Sequence, residues 1–273
     1  MLNKKLGDPI EFAKKMKVQY AAAAPFPHIV IDEAIEESVL NPLAEDFPDL
    51  DQQKNVIRYS GRTDVKLASP RGDEHHSSII QFFLRYLNSS DFIQFLQIIT
   101  SIDEFLIPDP HFIGGGLHQI ETGGFLKIHA DFAKHRETNL DRRVNVIIYL
   151  NKDWSESYGG HLELYDKDMV ECKQKIAPVY NRMVIFNTTD FSYHGHPDPL
   201  NCPLDRKRNS IATYYYSNGR PSHEIRDTFE TESTIYKSRP GEKFRIEPVY
   251  LLRQFMPPIA YPLIRKLKKA LKS

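Results

Sequence analysis

The chain has 273 residues, 41% of them apolar, with 36 Lys plus Arg against 36 Asp plus Glu. That is enough apolar material for one large core or two small ones, and a net charge of zero provides no global field for gripping nucleic acid or an acidic membrane. Two cysteines, Cys172 and Cys202, are too few for a secreted disulfide scaffold and lack zinc-ribbon spacing.

Residues 1–17 mix charged and apolar side chains without the unbroken apolar run of a signal peptide, so the expected location is cytoplasmic. No stretch approaches the roughly 18 apolar residues of a spanning helix. Residues 28–31 predict a short strand, after which Asp32 or Glu33 opens an amphipathic helix reaching about Ala44 and stopped by Pro48. Residues 59–74 hold Arg62, Lys66 and Arg71 among Gly, Ser and Pro, and read as a mobile, solvated connector. A second helical region starts near Asp73, breaks at Asn88, Ser89 and Ser90, and resumes over 92–99.

From Ile107 the texture changes to short β-rich runs at 112–120, 125–130, 144–150, 161–165, 183–187 and 210–216, spaced as in an all-β sandwich or barrel. The glycines at 114–116 are not a phosphate loop, since no Lys-Ser/Thr ending follows. His135, Arg136, Arg142 and Arg143 read as a solvated charged loop. After Arg220, Pro240, Pro248, Pro257, Pro258 and Pro262 exclude long helices, and Leu263, Ile264, Leu267, Ala270 and Leu271 share one face of a last short one. The organisation is thus a mostly helical support region (1–106), a β core (107–219) and a basic, Pro-punctuated extension (220–273).

The chemistry gathers in the β core. Residues 125–131, Phe-Leu-Lys-Ile-His-Ala-Asp, end in His-x-Asp, so His129 and Asp131 project to one side of an extended segment. The strand at 183–186 and the turn after it deliver His194. In the run 208–216, Arg208, Ser210 and Ala212 share a face, which points a cation and a hydroxyl into the barrel. A buried Arg is costly without a carboxylate, and that carboxylate can belong to a ligand. Two His and one Asp on one face of a metal, with the other positions open, is the arrangement of non-haem Fe(II) oxygenases. A second His-x-Asp, His196-Pro197-Asp198, reads as a turn. Trp154 is expected to pack beneath a turn, and His161 and Glu163 to face either pocket or solvent.

The order His129-x-Asp131, His194, Arg208 resembles the Fe(II)/2-oxoglutarate-dependent dioxygenases, and within them the prolyl 4-hydroxylase-like branch, over residues 112–219. Tyr149-Leu150-Asn151-Lys152-Asp153-Trp154, Gly159-Gly160-His161-Leu162-Glu163-Leu164 and Arg182-Met183-Val184-Ile185-Phe186 resemble further segments of that branch. The resemblance implies a double-stranded β-helix, or cupin-like jelly roll, mainly β with flanking helices. It implies Fe(II) held by His129, Asp131 and His194, and 2-oxoglutarate held through its 5-carboxylate by Arg208 and Tyr149, with Arg206 and Lys207 as rivals for the carboxylate. Ser210 joins Arg208 on the pocket face, and His118 lies near a co-substrate tyrosine of relatives. The implied reaction consumes O2, with ascorbate as an accessory reductant, and hydroxylates a C–H bond with release of succinate and CO2. Asp131 disfavours the halogenase variant, which replaces the carboxylate with a small residue.

The substrate is open between a prolyl peptide and a small molecule such as a free amino acid, a sugar or a specialised metabolite. A non-catalytic cupin-like binding protein and a zinc hydrolase are the competing readings; neither needs Arg208 and Tyr149. The zero net charge conceals a segregation: residues 237–273 carry about +8 and residues 1–236 about −8. The tail is expected to dock on its own acidic body or on a second copy in a homodimer, in preference to a membrane surface.

Overall fold

The computed structural model describes residues 1–224 and 234–242; the expected last helix near Leu263 lies outside them. Among the described residues there are four α-helices: α1 (Pro9–Ala22), α2 (Glu37–Glu45), α3 (Ser78–Leu87) and α4 (Ser90–Thr100). The described strands are β1 (His28–Ile31), β2 (Ile57–Ser60), β3 (Asp64–Ala68), β4 (Ile107–Pro108), β5 (Gly116–Ile120), β6 (Phe125–Ala130), β7 (Asp141–Tyr149), β8 (Leu162–Tyr165), β9 (Cys172–Ile176), β10 (Met183–Asn187), β11 (His194–His196), β12 (Arg208–Ser217) and β13 (Ile235–Tyr236). They pair antiparallel in the order β1-β10-β7-β12-β5-β3-β6-β11-β8-β9, with β13 on β6, β2 on β3 and β4 on β12. This is the jelly roll expected from the sequence.

Alternation along the strands explains why both sheet faces are buried. Val144, Val146 and Ile148 of β7, with Ile211 and Tyr215 of β12, pack under Phe83, Leu84, Leu87, Phe92, Phe95 and Leu96 of α3 and α4. Tyr215 also donates from its hydroxyl to the Leu87 carbonyl at 2.6 Å, tying β12 to the end of α3. The intervening residues Asn145, Ile147 and Tyr149, and Arg208, Ser210, Ala212 and Tyr214, line a cavity inside the barrel. Tyr149, Leu162, Leu164, Val184 and Phe186 form a second apolar cluster inside the barrel.

Several expectations shift. The helix expected from Asp32 starts at Glu37, because Glu33 turns with φ 49° and the amides of Ala34 and Glu36 pair with the carbonyls of Asn181 and Met1. The helix expected from Asp73 starts at Ser78, where the Ser77 hydroxyl accepts from Ile80 N–H. Residues 59–74 are not a solvated connector: β2 and β3 form a hairpin, and β3 bridges β5 to β6 within the barrel wall. Arg142 and Arg143, expected in a solvated loop, lie in β7 and are almost fully buried. His135 is buried too, facing Asp109 at 3.7 Å and the Tyr216 ring edge-on.

Trp154 does pack at a turn, donating from Nε1 to the Gly159 carbonyl at 3.0 Å. In the basic tail, Arg239 pairs with Asp198 of the body at 2.6 Å, while the tail's own Glu242 pairs with Lys127 of β6. No helix among the described residues is long and apolar enough to cross a membrane.

Candidate active site

β6 and β11 lie side by side with His129 opposite His194, and the chain leaving β6 carries Asp131 two residues on. One ligand atom from each of His129, Asp131 and His194 lies within 4.8 Å of the other two. Nε2 of His129 is 3.6 Å and Nε2 of His194 is 3.4 Å from the Asp131 carboxylate. His129 Nδ1 donates to the Lys127 carbonyl at 2.8 Å, and His194 Nδ1 donates to the Ser192 carbonyl at 2.9 Å. A carbonyl accepts only from a protonated nitrogen, so each neutral ring presents an unprotonated Nε2 to the cluster. That tautomer is the one a divalent metal requires, with the other nitrogen anchored to the backbone. Burial pushes His194 down to about 4, with Asp131 pulling the other way, so the ring is neutral at pH 7. The Phe186 ring stands edge-on to His194, 4.8 Å between centroids.

The Asp131 carboxylate is fixed from behind. Asn145 donates to its Oδ2 at 2.8 Å, and Arg142 pairs with the same oxygen at 3.0 Å. Arg142 is stacked 3.5 Å from the centre of the Tyr214 ring and also donates to Asn145 Oδ1. Burial opposes ionisation of Asp131, but its neighbours, the Arg142 guanidinium foremost, outweigh it and hold the carboxyl well below its usual range. Two imidazoles that turn Nε2 inward and one carboxylate fit a divalent iron of mixed N and O preference.

Arg208 lines the same cavity and is buried, donating from Nε to the Gly160 carbonyl at 2.9 Å and from Nη2 to the Tyr149 hydroxyl at 3.3 Å. Among the described residues no carboxylate pairs with it. Burial raises the Tyr149 pKa, which Arg208 only partly offsets, so the phenol keeps its proton and can donate it. Ser210 of β12 pairs in register with both Tyr149 and His118, placing all three on one ring of the cavity wall. Burial pushes His118 down to about 3, with Lys66 adding to the shift, and its Nε2 donates to the Gly114 carbonyl at 3.2 Å. An unpaired, buried guanidinium beside a phenol is a fitting receptor for the carboxylate of a ligand.

Gly160 makes room for this arrangement. Its φ is +74°, and a Cβ there would lie 2.6 Å from Leu200 Cδ2, 3.0 Å from Arg208 Cδ and 3.2 Å from Arg208 Nε. Gly160→Ala is therefore expected to displace the guanidinium and weaken 2-oxoglutarate binding by about tenfold, with backbone strain of about 1–2 kcal/mol added. Isothermal titration of the metal-loaded protein measures it.

The rivals of Arg208 are occupied elsewhere. Arg206 donates to the Lys152 carbonyl, and Lys207 pairs with Asp49 and Glu121. Glu163 is buried against Lys175 and Tyr165, and His161 pairs with Glu156, so neither joins the cavity. The His196 reading needs correction: the residue belongs to β11, not to a turn, and its buried ring lines the cavity with neither nitrogen hydrogen-bonded. Lys66, Asn145 and Tyr214 also line the cavity and were not singled out for this site by the sequence. For Asn145 and Tyr214 the available signal was inward parity on β7 and β12.

Residues 115–216 match the family model of the 2OG-Fe(II) oxygenase superfamily. Prolyl 3-hydroxylase OGFOD1 of Xenopus laevis is 28% identical over 180 residues, covering 63% of this chain; the chain spans about a third (32%) of that relative's length. A prolyl 4-hydroxylase of Pseudomonas putida superposes with a TM-score of 0.53 at 17% identity, covering 76% of this chain and 100% of that one. A Trichoplax adhaerens prolyl hydroxylase, solved with a peptide of the hypoxia inducible factor oxygen degradation domain, gives 0.55 at 16%, covering 80% and 94%. At these identities the two structures speak for the fold. Fe(II), 2-oxoglutarate and O2 are the cofactor and co-substrates that the matched family implies. The likeness to the 2OG-Fe(II) oxygenase superfamily thus lies in residues 115–216, the segment that also holds the His129, Asp131, His194 cluster and Arg208.

Proposed function

We propose that the chain hydroxylates a C–H bond of a prolyl residue in a peptide, converting 2-oxoglutarate and O2 to succinate and CO2. The observation that carries this reading is the pairing, in one cavity, of the His129, Asp131, His194 cluster with a buried Arg208 that lacks an anionic partner among the described residues. A non-catalytic metal-binding protein has no need of the second feature. The similarity to a prolyl 3-hydroxylase supports a prolyl substrate.

In this reading His129 and His194 hold Fe(II) through Nε2 and Asp131 through its carboxylate. Iron there supplies oxygen activation coupled to oxidative decarboxylation of the co-substrate. Arg208 takes the 5-carboxylate with its free donors, and the Tyr149 O–H donates to the same group. Ser210 and His118 close the wall beside it. Arg142 and Asn145 keep the Asp131 carboxylate ionised and oriented. Ile147, Leu162 and Ala212 add apolar wall beside these polar groups.

The test offers proline-containing peptides and small-molecule candidates to the iron-loaded protein with 2-oxoglutarate. The expected result is succinate formation stimulated by a peptide, with a mass gain of 16 on its proline. Stimulation by a small molecule alone would move the substrate class, and no succinate from iron-loaded protein under any condition would refute the oxygenase reading.

A further inference from the structure

Lys66 is a cation inside the barrel with no anion on it. Arg208 pairs with Ile120, and the β3–β5 register, Leu67 with Gln119 and Ala68 with His118, carries on to set Lys66 against the same residue. Leu67 points to the core under the helices, so Lys66 points the other way and lines the cavity with His129, Asp131, His194 and Arg208. Its ammonium stands 4.9 Å from the centre of the ring of Tyr59, its strand partner on β2. Asp64, on the same face of β3, accepts from the Thr63 hydroxyl, and among the described residues no carboxylate comes within ion-pair distance of Lys66.

Two features separate Lys66 from the site of the 5-carboxylate. Arg208 is held by Gly160 and Tyr149, whereas the Lys66 ammonium leans on Tyr59, a half-buried residue of a strand that pairs with β3 alone. The charges also fail to balance. Asp131 and Arg142 cancel, a divalent metal and dianionic 2-oxoglutarate cancel, and Asp64 offsets one of the two remaining cations. One positive charge is left over in a confined, partly apolar space, where an unmatched charge is costly.

We propose that Lys66 is a specificity-determining residue that receives a carboxylate of the substrate to be hydroxylated, so that this substrate carries an acidic group beside the reacting C–H bond. The inference rests on the proposed function, which assigns Arg208 to 2-oxoglutarate. The Tyr59 ring braces the lysine side chain and leaves the ammonium's hydrogens for an incoming anion. The preference acts through charge, so it predicts discrimination between a carboxylate and its neutral isostere.

The test uses the full chain loaded with Mn(II) and 2-oxoglutarate and a panel of proline-centred peptides. Each is made in three forms, with Glu, Gln or Lys next to the proline, together with free proline and prolinamide. Binding is measured by titration calorimetry. The expected result is at least one pair in which the acidic form binds about tenfold tighter than its amide, a gap that Lys66→Met erases, Lys66→Arg retains and Lys66→Glu reverses in favour of the Lys form. The proposal is overturned if no acidic form is preferred, or if the preference survives Lys66→Met. It is also overturned if Lys66→Met weakens 2-oxoglutarate binding as much as Arg208→Ala does, since the carboxylate on Lys66 is then the co-substrate's. Absence of metal-dependent 2-oxoglutarate binding by the unaltered chain is a different failure, of the proposed function itself, and removes this inference with it.

Discussion

Replacing His129 with Ala is expected to abolish succinate formation, lowering turnover by about a thousandfold or more, because removing one of three donors forfeits several kcal/mol of metal-dependent stabilisation. The loss should be visible before any turnover is measured: the variant should retain little iron after desalting. The fold should survive. His129 sits on β6 with its ring in the cavity, where it contributes one backbone hydrogen bond from Nδ1 and a ring contact with His194, 4.5 Å between centroids. Its removal leaves the apolar clusters on both sheet faces intact. Circular dichroism and thermal unfolding close to those of the unaltered chain, together with lost iron, separate loss of a ligand from loss of structure. Asp131→Ala should lose iron equally, and it also strips Arg142 of its ion pair inside the barrel, so a drop in stability is expected for this variant.

Arg208→Ala is the second large effect. A buried guanidinium that pairs with a ligand carboxylate contributes about 2–5 kcal/mol when its removal leaves the partner charge unmatched, so the dissociation constant of 2-oxoglutarate should rise by about a hundredfold or more. Iron binding should persist, since His129, Asp131 and His194 stand on other strands and on the segment leaving β6. The contrast is diagnostic. Arg208→Lys keeps one charge but loses the fork that reaches both the Gly160 carbonyl and the Tyr149 hydroxyl, so it should recover only part of the affinity. Tyr149→Phe removes a single neutral donor and should cost far less than either.

Much of this site was legible in the sequence, for identifiable reasons. The strands β6 and β10 match the expected runs 125–130 and 183–187 residue for residue, because each is a compact β-rich run bounded by turn residues. His-x-Asp at the end of one strand and His194 at the start of another converge because β6 and β11 pair in the sheet, a long-range fact that the motif order implied only through resemblance. Arg208, Ser210 and Ala212 line the cavity as period-two alternation requires.

What escaped notice shares one cause, which is that polar residues were read as solvent-facing. Lys66 lies in a run with Arg62, Asp64 and Arg71, and only its pairing with β5 and β6 turns it inward. Arg142 and Arg143 look like a charged loop until Asp131 and Glu104 supply their carboxylate partners. His196 precedes a proline, the residue type that most strongly suggests a turn, yet it pairs with Leu126 across the sheet. In each instance tertiary pairing overrode a local signal that was correct on its own terms.

The most direct measurement is optical and needs no substrate. Anaerobic addition of Fe(II) and then 2-oxoglutarate to the full chain should produce a weak visible charge-transfer band that requires both additions. It should be absent in His129→Ala and should appear in Arg208→Ala only at much higher 2-oxoglutarate. A chain that retains iron and its fold but gives no band at saturating 2-oxoglutarate would contradict the assignment of this cavity to a metal and co-substrate pair.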